Sequence, residues 1–173
     1  KEWLIDTFTV NNLLTLGKER LSGRVSVEDI PSGHRLLPLL MEAMKGNSVI
    51  RIEYGKYGRQ ETETRHLHPY AVKEFDRRWY AVGFSEEAGE MRVYALDRIR
   101  SLEIQGRKFT LPEGFDVEDV FHDSYGVYLP EKGQKAETVV FRSSKREAAY
   151  LRDLPIHHSQ TEVPSTDGMV HFR

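Results

Sequence analysis

The side chains that could do the most chemistry here are arginines interleaved with aromatics: Tyr54, Arg65, Arg77, Arg78, Trp79, Tyr80, Arg92, Tyr94 and Arg98, all within one stretch of short alternating segments. A guanidinium fork matches phosphate oxygens bidentately, and an aromatic face stacks a base for about 1–3 kcal/mol. The same residue types also serve a core. Tyr80 shares the alternation of Val82 and Phe84, and Arg98 directly follows Asp97, the arrangement of a structural ion pair.

Other chemistries find less support. His66 and His68 are two apart on an expected strand and so share a side, as a chelating pair would. Zinc takes at least three protein ligands, and no third donor stands at a suitable spacing, so no metal is expected and the histidines read as hydrogen-bonding groups. His157 and His158 are adjacent and point apart if extended. The chain has no cysteine and no G-x-S-x-G elbow. Gly55 and Gly58 lie between strands, without the helix N-terminus that makes a glycine loop bind phosphate. The pairs Glu61 with Glu63 and Glu86 with Glu87 read as solvated carboxylates of turns and strand edges. The expectation is a protein that is not an enzyme and carries no cofactor.

The elements that hold the arginines follow from period. Leu36, Leu37, Leu39, Leu40, Ala43 and Met44 form an amphipathic helix stopped at Gly46, with Pro38 tolerable in its first turn. From Ser48 the period becomes two. Ile50, Ile52 and Tyr54 alternate with polar partners, and further strands are expected at 61–68, 70–75, 78–84, 90–95 and 99–104, the second and third separated by Pro69. Connections this short exclude crossover helices, so the sheet is antiparallel and strongly bent, or a small barrel. An acidic helix is expected over 117–125 and a linker over 129–136. Beyond it a strand (138–142), a helix (145–152) and a hairpin turning at 165–168 are expected.

With 173 residues the chain makes one or two domains, and 39% hydrophobic against 30% charged residues excludes global disorder. No apolar run approaches the roughly 18 residues of a membrane span, and the start is not that of a signal peptide, so no membrane partner is expected. Absence of cysteine fits a reducing compartment, and a cytoplasmic location is expected. A net charge of -2 argues against coating nucleic acid by bulk charge but permits a local basic pocket; residues 51–108 are mildly basic and 109–137 acidic.

The blocks Ile50, Ile52 and Tyr54; Arg65, Leu67 and Pro69 in R-H-L-H-P; Trp79, Tyr80 and Ala81; and Arg92 through Ile99 in R-V-Y-A-L-D-R-I resemble, in order and separation, the WYL domain family. The resemblance implies an Sm-like or SH3-like antiparallel β-barrel. It also implies a bacterial transcriptional regulator whose domain senses a ligand, single-stranded nucleic acid or a nucleotide, to control duplex DNA binding by a helix-turn-helix outside this chain. The ligand-binding residues it carries over are Tyr54, Arg65, Tyr80, Arg92 and Arg98. Ala81 stands where the family name has Leu, and Ala95 where a polar or basic residue is common; the second departure removes a phosphate contact.

The expected organisation is therefore mainly β with flanking helices: a helical connector (1–34), the small β-barrel WYL domain (35–108), an acidic helix and linker (109–135), and a partial α+β C-terminal extension (136–173). That last unit is too small for an independent core without disulfides, so it should be the most labile part. The competing expectation is a protein-protein interaction module, a homodimer held by the barrel and the apolar set Trp3, Leu4, Ile5 and Phe8.

Overall fold

The computed structural model describes residues 33–56, 58, 61–131 and 133–173. The connector with Trp3, Leu4, Ile5 and Phe8 lies outside the described residues. A 3-10 turn (His34–Leu36) leads into a helix, Leu37–Lys45, with Pro38 in its first turn, where a missing N–H costs nothing. The helix buries Leu37, Leu40 and Ala43 and stops at Gly46.

Five strands follow: β1 (Ser48–Gly55), β2 (Thr62–Phe75), β3 (Arg78–Ser85), β4 (Glu90–Ala95) and β5 (Ile99–Lys108). They form one antiparallel sheet in the order β4-β3-β2-β1-β5. β4 and β5 are its two edges, yet only the 3-10 turn Leu96–Arg98 joins them. A three-residue connection between opposite edges requires the sheet to curl back on itself. Its hydrogen bonding nevertheless remains that of an open sheet, so of the two expected forms the strongly bent antiparallel sheet is the one found, without closure into a barrel.

The expected break at Pro69 is corrected, because β2 runs unbroken for 14 residues. Proline removes a ladder donor and is tolerated at a bulge; the β2–β3 register shifts between Pro69 and Ala71, where Tyr70 is the extra residue. The bulge moves the alternation by one, so Leu67 and Val72 both face the core. Gly83, opposite Pro69, allows this close passage, since a Cβ there would lie 2.0 Å from the His68 carbonyl oxygen. The β2–β3 turn is only Asp76 and Arg77, both at positive φ (48° and 62°), as a type I′ hairpin turn requires.

Residues directly opposed across a ladder share a face. On the inner face Ile50, Ile52, Tyr54, Leu67, Ala81 and Tyr94 join Leu40 of the helix and Leu96, Ile99 and Leu102 in the main core. The outer face carries Ala71 and Val82, which pack with Phe121, Phe115, Val117, Val120, Val127 and Leu129. The acidic segment after β5 thus lays its apolar residues over the back of the sheet. Its helix is one turn, Val117–Val120, capped by the Asp116 side chain accepting from Glu118 N–H at 2.8 Å, and is shorter than the expected 117–125. Beyond it, β6 (Phe141–Ser143), β7 (Glu162–Val163) and β8 (Val170–Phe172) form a three-stranded sheet in the order β6-β8-β7. The helix Lys145–Asp153 begins with a capping box between Ser144 and Glu147. Ala148 of this helix and Phe172 of β8, 1% exposed, are the buried apolar residues here.

Among the described residues no helix is long and apolar enough to cross a membrane.

Candidate anion and base pocket

The ladder register decides which of the expected site residues meet. Tyr54 opposes Glu63 and Ile52 opposes Arg65 across β1–β2, while Gly83 opposes Arg92 and Ala81 opposes Tyr94 across β3–β4. All of these lie on the inner face. Where the helix and Leu96 no longer cover that face, it opens into a cavity of about 420 Å³ lined by Tyr54, Lys56, Glu63, Arg65, Glu87, Ala88, Arg92 and Tyr94. Arg65 comes from β2, Arg92 and Tyr94 from β4, and Glu87 and Ala88 from the turn that joins β3 to β4.

The floor is aromatic. Tyr54 and Tyr94 meet T-shaped with ring centroids 4.9 Å apart at 81°. The Tyr94 hydroxyl donates to Ser85 Oγ at 3.1 Å, a bond wholly out of water that satisfies the polar end of a buried ring. Arg98 packs its guanidinium 4.7 Å from the Tyr54 ring centre and donates from Nε to the Gly55 carbonyl at 3.0 Å. Arg98 therefore supports the floor from beside it. Asp97, its neighbour in sequence, pairs with Arg78 at 3.5 Å.

The walls carry three cations, Lys56, Arg65 and Arg92, against two carboxylates. Glu63 takes Lys56 at 2.7 Å through Oε1 and the Arg65 guanidinium through Oε2. Arg92 pairs with Glu90 at the rim. The β3–β4 turn closes one side, and two histidines anchor it. Glu87 accepts from the His66 backbone N–H at 2.9 Å and sits 2.8 Å from His66 Nδ1. Glu86 lies 3.0 Å from His68 Nε2 and accepts from both terminal nitrogens of Arg107 at 2.8 and 3.0 Å. Burial tends to raise the Glu87 carboxyl, but the His66 backbone and ring bonds outweigh it and leave the pKa below its ordinary value. Arg107 holds Glu86 low against the effect of burial, with His68 adding to it.

Of the five carried-over residues, Tyr54, Arg65 and Arg92 line the cavity and Arg98 supports it, whereas Tyr80 lies elsewhere. Tyr80 opposes Lys73 and Ala95, which places it on the outer face with Val82. Its parity with Val82 was the sequence signal for that placement. Tyr94 and Lys56 belong to the site and were not among the five; two-residue spacing from Arg92 and from Tyr54 identifies both. Glu63, read as a solvated carboxylate, also lines the cavity. His66 and His68 hold glutamates, and among the described residues no three histidine or carboxylate side chains group as a metal site.

A second cavity, about 460 Å³, lies between the 118–126 segment and residues 155–158. Its lining includes Phe75, Phe121, His122 and His158 but only one lysine and no arginine, against two glutamates. With one lysine against two glutamates it has no excess of positive charge to attract a phosphate.

Residues 35–104, which hold the leading helix and most of the curled sheet, match the family model of the WYL domain. No curated protein matches the chain. Among solved structures it is similar to proteasome accessory factor B/C (PafBC) of Arthrobacter aurescens, with 23% identity and a TM-score of 0.46 over 88% of this chain. The match covers 23% of that structure, so this chain spans about a quarter of its length.

Proposed function

We propose that this WYL domain is the non-catalytic, ligand-sensing part of a transcriptional regulator, and that its cavity takes a short single-stranded nucleic acid or a nucleotide. The observation that carries the reading is the convergence of Arg65, Arg92 and Lys56 above an aromatic floor of Tyr54 and Tyr94. Guanidinium and ammonium groups suit phosphate oxygens, and the tyrosine pair, itself mostly buried, gives the cavity an aromatic floor. The WYL match supports the regulatory role. In this reading duplex DNA is contacted by another part of the regulator, and occupation of the cavity alters that contact.

Titration of a labelled short single strand at rising ionic strength tests the proposal. Log affinity should fall linearly with log salt, since each phosphate contact releases a counterion. Absence of binding at low salt removes oligonucleotides, and a salt-independent affinity removes phosphate recognition.

A further inference from the structure

Glu63 occupies the place in the cavity where an incoming anion would be held. It stands on β2 opposite Tyr54, and its side chain is 30% exposed, within reach of a ligand. Its two carboxylate oxygens go to different cations, one to Lys56 Nζ at 2.7 Å and the other to the Arg65 guanidinium. Two adjacent oxygens of a phosphate bridging the same lysine and arginine would make the same two charge-assisted bonds. The donors cannot serve both, because a phosphate placed there would put its charge beside that of the carboxylate.

We propose that Glu63 is a resident anion that a ligand phosphate displaces from Lys56 and Arg65, so that it sets the affinity threshold of the site and selects for phosphate charge. The inference rests on the reading of this cavity as an anion site. Uncharged or weakly charged ligands lack the means to displace a carboxylate held by two cations. A terminal phosphate, with more charge and three oxygens, can take both donors while Glu63 turns toward solvent. The carboxylate also keeps Lys56 and Arg65 from holding salt anions in the empty state, which lowers the number of ions that ligand binding releases.

The test is calorimetric titration of wild type and Glu63→Gln with 5′-phosphorylated dithymidine, and with thymidine as the uncharged control, at several salt concentrations. Removing the like charge should tighten the phosphorylated probe by about three- to tenfold, the effect of one unit charge a few ångströms away in a partly solvated site. The salt dependence should steepen, and thymidine should gain nothing. If wild type binds the probe and E63Q binds equally or more weakly with the same salt slope, Glu63 only positions Arg65 and the inference is overturned while the anion pocket stands. If neither protein binds at low salt, the pocket reading falls and this inference falls with it. Should glutamine disturb the β1–β2 pairing in circular dichroism, Glu63→Thr, a strand-compatible neutral residue, makes the same comparison.

Discussion

Arg98 holds its guanidinium 4.7 Å from the centre of the Tyr54 ring, so the tyrosine that floors the cavity is fixed by a cation outside the cavity's lining. Tyr54 is only 9% exposed and belongs at once to the core and to the site. Core packing and cavity geometry therefore meet in one side chain, which Arg98 supports.

Arg98→Ala should accordingly affect both stability and binding. Loss of the cation–π contact and of the bond to the Gly55 carbonyl should cost about 1–2 kcal/mol. Affinity for a short single strand should fall as Tyr54 loses its support. Arg98→Lys, which keeps the charge but not the planar stacking, should fall between the two. Equilibrium urea unfolding checks the first effect, and an unchanged midpoint for R98A would show that the stacked arrangement carries no energy.

Register separates the pocket arginines from Tyr80. Arg65→Ala and Arg92→Ala should each weaken single-strand binding and lower the salt slope by about 0.7, the contribution of one phosphate contact on a single strand. Tyr80→Phe, on the opposite face, should leave affinity unchanged. A loss in Y80F equal to that in R65A would contradict the two-face assignment.

Gly83→Ala is expected to be among the most damaging single substitutions in the sheet. The added carbon would lie 2.0 Å from the His68 carbonyl oxygen, and that neighbour is backbone that cannot swing aside. Loss of β2–β3 pairing, and with it of cooperative thermal unfolding in circular dichroism, is the predicted outcome. A wild-type melting curve would refute the close passage at the Pro69 bulge.

The β3–β4 turn should loosen in acid. Glu86 and Glu87 both have folded-state pKa values below the ordinary 4.5. A lowered carboxyl pKa means that the folded state favours the ionised form, so this stabilisation is fully present above pH 4.5 and is lost as pH falls through the folded values. Melting temperature should drop across that window, and the drop should be shallower in the Glu86→Gln, Glu87→Gln double variant. Identical slopes in the two proteins would mean that the turn's anchors contribute nothing.

Much of the sheet was legible because alternation at Ile50, Ile52 and Tyr54 and at Ala81 to Phe84 is a local property of extended chain with one buried side. Pro69 misled because a bulge that tolerates proline depends on the facing strand, where Gly83 makes room. Tyr80 differs: motif position suggested a ligand contact, while its parity with Val82 sets it on the back of the sheet, away from the cavity. That back is buried by Phe115, Phe121 and their neighbours in an acidic segment, whose few apolar residues gave no sign of the surface they would cover. Glu63 was read as solvated because nothing in the sequence tells a carboxylate facing solvent from one facing Lys56 and Arg65.

The central claim, that the cavity between β2 and β4 is the ligand site, is tested most directly by following backbone amide resonances while 5′-phosphorylated dithymidine is added at low salt. Shifts should concentrate at Tyr54, Lys56, Glu63, Arg65, Ala88, Arg92 and Tyr94, with Phe121, His122 and His158 undisturbed. Shifts confined to the cavity at 118–126 and 155–158, or none at saturating probe, would contradict the account.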